Sequence, residues 1–89
     1  MNTNFKQLTD REILTNSILN VYKTHMLSRH QTAIILNKSI QTLDRYRYDS
    51  IGPSYLSING SIIYPITSVV DWIIKNTIHT TNSQGLYNE

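Results

Sequence analysis

The side chains in this sequence that could do chemistry are mostly cations, and they are unevenly spread. The 89 residues carry eight Lys and Arg against six Asp and Glu. Five of the eight (Lys23, Arg29, Lys38, Arg45 and Arg47) fall between positions 23 and 47, where Asp44 is the one opposing carboxylate. That window carries +4 and the remainder −2, which predicts a positive patch on a nearly neutral body. His25 and His30 add to it below neutral pH. Within the window Gln41 and Arg45 are four apart, so a helix puts them on one face. Gln can pair bidentately with N6 and N7 of adenine, and Arg with O6 and N7 of guanine. These two are the leading candidates for reading bases in duplex DNA.

Other chemistry is poorly served. There is no cysteine, which removes disulfides, thiol catalysis and cysteine-ligated zinc and favours a reducing compartment, with the cytoplasm as the expected location. The three glycines are scattered at positions 52, 60 and 85, so there is no Gly-rich phosphate loop, and neither a G-x-S-x-G nor an H-E-x-x-H pattern occurs. His25 and His30 are five apart, a spacing that a helix does not bring onto one metal-binding face. No catalytic activity, cofactor or metal is expected. A chain of this length holds one small core, and a large preformed substrate cleft would take surface that the core needs. With 39% hydrophobic and 16% charged residues it is apolar enough to fold. No run approaches the ~18 apolar residues of a membrane span, and no targeting or anchoring signal is expected.

The elements that must position these residues follow from caps, turns and periodicity. Thr9 and Glu12 form a capping box ahead of a helix over about residues 10–23, with Leu14, Ile18, Val21, Tyr22 and His25 on one stripe. Asn16, Ser17 and Asn20 make that helix intrinsically weak, so it must pack to persist. Ser28 and Gln31 repeat the capping box for a helix over residues 29–36, which buries Ala33, Ile35 and Leu36, and Asn37 tolerates the left-handed conformation that ends it. Ser39 caps a third helix over residues 40–48 that buries Leu43 and Tyr46. Two short helices on so tight a turn suggest a helix-turn-helix. Gly52-Pro53 breaks the pattern, residues 55–58 alternate, Asn59-Gly60 is the preferred type I′ turn pair, and residues 61–64 return as the second strand of a hairpin. Thr67 or Ser68 can cap a last helix carrying Val69, Trp72 and Ile73. The expected fold is mainly α with a small β-hairpin. It divides into a tail and helix at 1–25, a winged helix-turn-helix at 26–76, and a flexible tail at 77–89.

The stretch from Leu27 through Ser28, Arg29, Ala33, Leu36, Ser39 and Thr42 to Leu43 resembles the opening of the excisionase and AlpA-like DNA-binding family, related to the MerR winged-helix domains. Arg47-Tyr48, Gly52-Pro53, the Asn59-Gly60 hairpin, Tyr64 and Trp72-Ile73 are similar to that family's second half, so the resemblance covers slightly over half the chain. It departs in three places. Asn37 stands where a turn glycine is usual, Ser50 where a glycine often follows the recognition helix, and the hairpin tip lacks an arginine. The resemblance implies a protein of a phage or other mobile element that binds double-stranded DNA without enzymatic activity. It implies either direction of an integrase toward excision or regulation of transcription.

A recognition helix opened by Ser39 projects Ile40, Gln41, Asp44, Arg45 and Tyr48 away from Leu43, and its first turns are those that normally reach base edges. Gln41, Arg45, Ile40 and Asp44 are thus the base-reading set. Ser28, Arg29, His30, Lys38, Ser39, Thr42, Arg47 and Tyr48 are the backbone set, with the amides of the helix opened by Ser28 available to a phosphate. Asn59, Gly60 and Ser61 form the wing. Asp44 has a competing use, pairing with a neighbouring Lys or Arg, and Arg47 has another, holding the hairpin to the helix. Tyr46, Tyr64 and Trp72 read as core. Ile34 and Ile40 fall on a face expected to be exposed. Packing against the N-terminal helix is one explanation, and a protein partner such as an integrase is the other. The N-terminal helix either completes the monomer core or joins copies of the chain on DNA.

Overall fold

The computed structural model describes residues 8–77. The flexible tail expected at 77–89 lies outside that range from residue 78 onward, as do the first seven residues. Four helices and a three-stranded antiparallel sheet follow in the order α1 (Asp10–Tyr22), β1 (Met26–Ser28), α2 (Arg29–Leu36), α3 (Ile40–Tyr48), β2 (Leu56–Ile58), β3 (Ser61–Pro65) and α4 (Ile66–Lys75).

Local chemistry explains most helix ends. The Thr9 hydroxyl accepts from the Glu12 amide while the Glu12 carboxylate accepts from the Thr9 amide at 2.9 Å. Ser28 and Gln31 make the same reciprocal pair at the start of α2, and the Ser39 hydroxyl accepts from the Thr42 amide at 3.0 Å. Each pair satisfies amides that a helix start leaves without carbonyl partners. At the other ends Lys23, Asn37 and Ser50 adopt positive φ of 58°, 57° and 57°. The turn after α3 shows what that achieves. The Ser50 amide donates to the Arg47 carbonyl at 3.1 Å and the Ile51 amide to the Tyr46 carbonyl at 3.0 Å, which closes the helix and reverses the chain.

The expected hairpin is present, with Asn59 at φ 50° and Gly60 at φ 83°, the two positive values that a type I′ turn requires. It is not alone. Residues Met26, Leu27 and Ser28 pair with Pro65, Tyr64 and Ile63, so the sheet runs β1-β3-β2 with β3 in the centre. The Asn59-Gly60 turn joins β2 to its neighbour β3, whereas β1 meets β3 across more than thirty residues with no turn to announce it, which is why only the hairpin was legible. The same pairing corrects the expected start of α4. The helix begins at Ile66 without a side-chain cap, ahead of Thr67 and Ser68, because the Ile66 amide already donates to the His25 carbonyl at 2.9 Å in continuation of the ladder.

The core gathers Ile18, Leu27, Ala33, Leu43, Tyr64, Ile66, Val69 and Val70, with Leu14, Leu19, Tyr22, Ile35, Leu36 and Ile40 packed around it. The first helix therefore belongs to the same core, lying mainly against α4 with an Arg11–Asp71 ion pair across the rim. Two expected members of its stripe do not contribute. Val21 is 71% exposed on the outer side of the helix, and His25 is exposed because the chain leaves the helix at Lys23 and turns toward β1. Ile34 is 68% exposed, so it does not pack on α1; its neighbours Ile35 and Leu36 pack against the core instead. Trp72 and Tyr46 are half-buried rather than central. Their rings lie 6.0 Å apart, and the indole N–H donates to the Ile51 carbonyl at 2.7 Å. No described helix is long and apolar enough to cross a membrane.

Candidate nucleic-acid interface

Helix α3 has two faces. Leu43 is fully buried and Ile40 half-buried against the core, which anchors one side. Gln41, Arg45 and Tyr48, at spacings of four and three, are exposed on the other, and Tyr48 is 83% exposed. Arg45 makes no ion pair among the described residues. A Gln, an Arg and a phenol therefore share an unobstructed helical face with their polar ends in solvent. Ile40, expected among the base readers, is turned partly inward by the same geometry that buries Leu43. Ser39 and Thr42 cap the helix and bond to each other, the Ser39 hydroxyl donating to Thr42 Oγ1 at 2.9 Å. Lys38, in the connection between α2 and α3, is exposed.

Beside that face lies an ion cluster. Asp44 accepts from Arg29 Nε at 3.0 Å and from Arg29 Nη2 at 2.6 Å, a forked contact between α2 and α3, and from Arg47 Nη1 at 2.8 Å one turn further along α3. Asp44, placed in the base-reading set, is thus occupied by two guanidiniums, its alternative use. The hydrogen bonds from Arg29 and then Arg47 hold its carboxyl below the ordinary carboxylate range. In return the carboxylate holds both guanidiniums more firmly protonated. Arg47 is the more enclosed of the two, with 19% of its side chain exposed. Its guanidinium carbon stands 5.8 Å from the ring centres of both Tyr48 and Tyr55, within cation–π range. The Tyr64 hydroxyl is fully buried and finds no partner at hydrogen-bond geometry among the described residues. It lies near enough to Arg47 to favour the guanidinium's charged form.

These cations open onto an open cleft of about 620 Å³, lined by Ser28, Arg29, His30, Arg47, Gly60, Ser61, Ile62 and Ile63. Five members of the expected backbone and wing sets therefore lie around one concavity with Arg47: the start of α2 supplies Ser28, Arg29 and His30, and the hairpin supplies Gly60 and Ser61. Lys38 and the Ser39–Thr42 pair stand outside it. Sequence reasoning did not foresee that Arg29 and Arg47, eighteen positions apart, form one unit through Asp44. The Asp44–Arg47 spacing of three was a local signal, but the Arg29–Asp44 pair spans fifteen positions and had none. No group of three or more His, Cys, Asp or Glu that could hold a metal occurs among the described residues. Compared with known families and with curated proteins, the chain matches no family model and no curated sequence.

Proposed function

We propose that this chain is a winged helix-turn-helix protein that binds double-stranded DNA sequence-specifically. Its role is that of an excision factor, or of a transcriptional regulator, of a phage or other mobile element. The observation that carries this reading is the juxtaposition of α3's exposed Gln41–Arg45–Tyr48 face with the cationic cleft between the start of α2 and the hairpin. A helix in the major groove needs both: side chains that reach base edges, and flanking cations and helix-start amides that hold phosphates and so fix the register. Gln41 and Arg45 read bases, Arg29, Arg47 and His30 line the backbone track, and Lys38 contacts a phosphate beyond it. Gly60 and Ser61 at the wing follow the backbone without an arginine to enter the minor groove. A single module of this size buries only about 600–1,000 Å² on DNA, so the protein acts in several copies on one site. The role in excision adds an integrase as protein partner.

The test is binding to a duplex selected by the protein from a randomised pool, compared with an unselected duplex of equal length. Gln41→Ala and Arg45→Ala should each lower discrimination by about 1–3 kcal/mol while leaving the unselected duplex bound nearly as before. Log affinity should fall with log salt at about 0.9 per neutralised phosphate. Variants that select the parental sequence with parental affinity would show α3 to be misassigned.

The 68% exposure of Ile34 on α2 favours a second reading, in which the same shape docks on a protein through an apolar contact. Binding governed by that surface would respond weakly to salt and would be lost in Ile34→Ser but not in Arg45→Ala.

A further inference from the structure

A carboxylate on the helix that faces DNA is an electrostatic liability, because it repels the phosphates that the surrounding cations attract. Asp44 sits one position before Arg45 on that helix, yet it is bonded to two arginines rather than left in solvent. We infer that Asp44 is a positioning residue, which holds Arg29 of α2 and Arg47 of α3 as one preformed clamp for a DNA phosphodiester at the mouth of the cleft. This rests on the DNA-binding reading and assigns to one site within it a device for specificity.

The geometry supports the assignment in three ways. The Arg29 contact is forked, with Nε and Nη2 on the two carboxylate oxygens at 3.0 and 2.6 Å, and such a planar pair fixes the direction of the guanidinium as well as its distance. Arg47 shares Oδ1 with Arg29 Nε, so the two cations are held beside one acceptor with most of their donors unused. Both line the cleft, whereas Asp44 is not among its lining residues. The carboxylate thus lies outside the cleft that the two cations line, and a phosphate in the cleft meets guanidinium. Two long side chains that would otherwise be ordered on binding are ordered beforehand. The contact between α2 and α3 also sets where the phosphate clamp lies relative to Gln41 and Arg45, and that register lets base contacts distinguish sequences.

A positioning carboxylate and a merely tolerated one make opposite predictions for Asp44→Asn. Removing an idle negative charge should tighten every duplex alike, because one repulsive group is lost. Removing the positioning group should leave the unselected duplex bound as well or better, since the net charge is more positive. The selected duplex should bind more weakly, so that the ratio of the two affinities falls at least about tenfold. Asp44→Glu keeps the charge and both ion pairs but displaces the carboxylate by one methylene, and it should give a ratio between the two. Thermal melting run alongside identifies the folded variants, and if Asp44→Asn does not fold at the assay temperature, the Glu variant alone decides. A parental ratio in Asp44→Glu, or an equal change on both duplexes in Asp44→Asn, would overturn the inference while leaving DNA binding intact. A parent protein that selects no duplex and binds without salt dependence would remove the functional reading and this inference together.

Discussion

Replacing Ser50 by glycine should make the protein more stable, although it removes a side chain. Ser50 follows α3 at φ 57°, the left-handed region in which a residue with a Cβ carries about 1–2 kcal/mol of strain. Its side chain makes no hydrogen bond that would compensate among those of the described residues, and the residue is exposed. Glycine relieves the strain but loses about 0.5–1 kcal/mol more backbone entropy on folding. The difference favours the variant by about 0.7 kcal/mol, which for a domain of this size raises the melting temperature by about 3–6 °C. Circular dichroism melting and urea titration should agree, with the urea midpoint raised and the slope unchanged. Gly52→Ala, two residues on, is the opposing control. A Cβ there would stand 3.0 Å from Tyr46 Cβ, tighter than most packed carbons sit, so Tyr46 must shift by a few tenths of an ångström and this variant should lose about 1 kcal/mol. Ser50→Gly at or below parental stability would refute the reasoning. It would mean that the turn is not held left-handed in solution, or that the serine contributes an interaction absent from the geometry.

Tyr64→Phe should be neutral or raise stability by about 1 kcal/mol, because it removes a fully buried hydroxyl without a partner among the described residues; a loss in urea titration would show that Arg47 satisfies the phenol. The Asp44 carboxyl is held below its ordinary range, so its contribution is present above the unfolded value of about 3.9 and is lost as pH falls through the folded value. Acid titration should therefore show parental stability and that of Asp44→Asn converging below about pH 4, and a gap that stays constant or widens there would contradict the ion cluster. Trp72→Ala should cost about 2–3 kcal/mol, less than a fully buried aromatic, because the indole is half-buried and holds one carbonyl at Ile51. Its folded fraction should keep the parental DNA preference, and a folded variant that binds no DNA would place Trp72 at the interface.

The interactions that the sequence determined by itself are short in sequence. The Thr9–Glu12 and Ser28–Gln31 boxes, the Ser39 cap and the Asn59-Gly60 turn are each complete within four residues, so composition and spacing were enough to locate α1, α2, α3 and the hairpin. The exposed face of α3 was legible for the same reason, since burial of Leu43 dictates where Gln41 and Arg45 point. Whatever depends on elements meeting was decided by the tertiary structure. Strand β1 exists because Leu27 finds Tyr64, thirty-seven positions away, and α4 starts at Ile66 because the His25 carbonyl is there to receive its amide. Val21 carries the right periodicity for burial, but helical spacing specifies a stripe without specifying its width, and no described neighbour covers it. Asp44 shows the division most plainly. In the sequence it is one acidic residue among cations, equally suited to solvent, a base or a local pair. Only the packing of α2 against α3 brings Arg29 within 2.6 Å of it and turns it to hold two guanidiniums at the edge of the cleft.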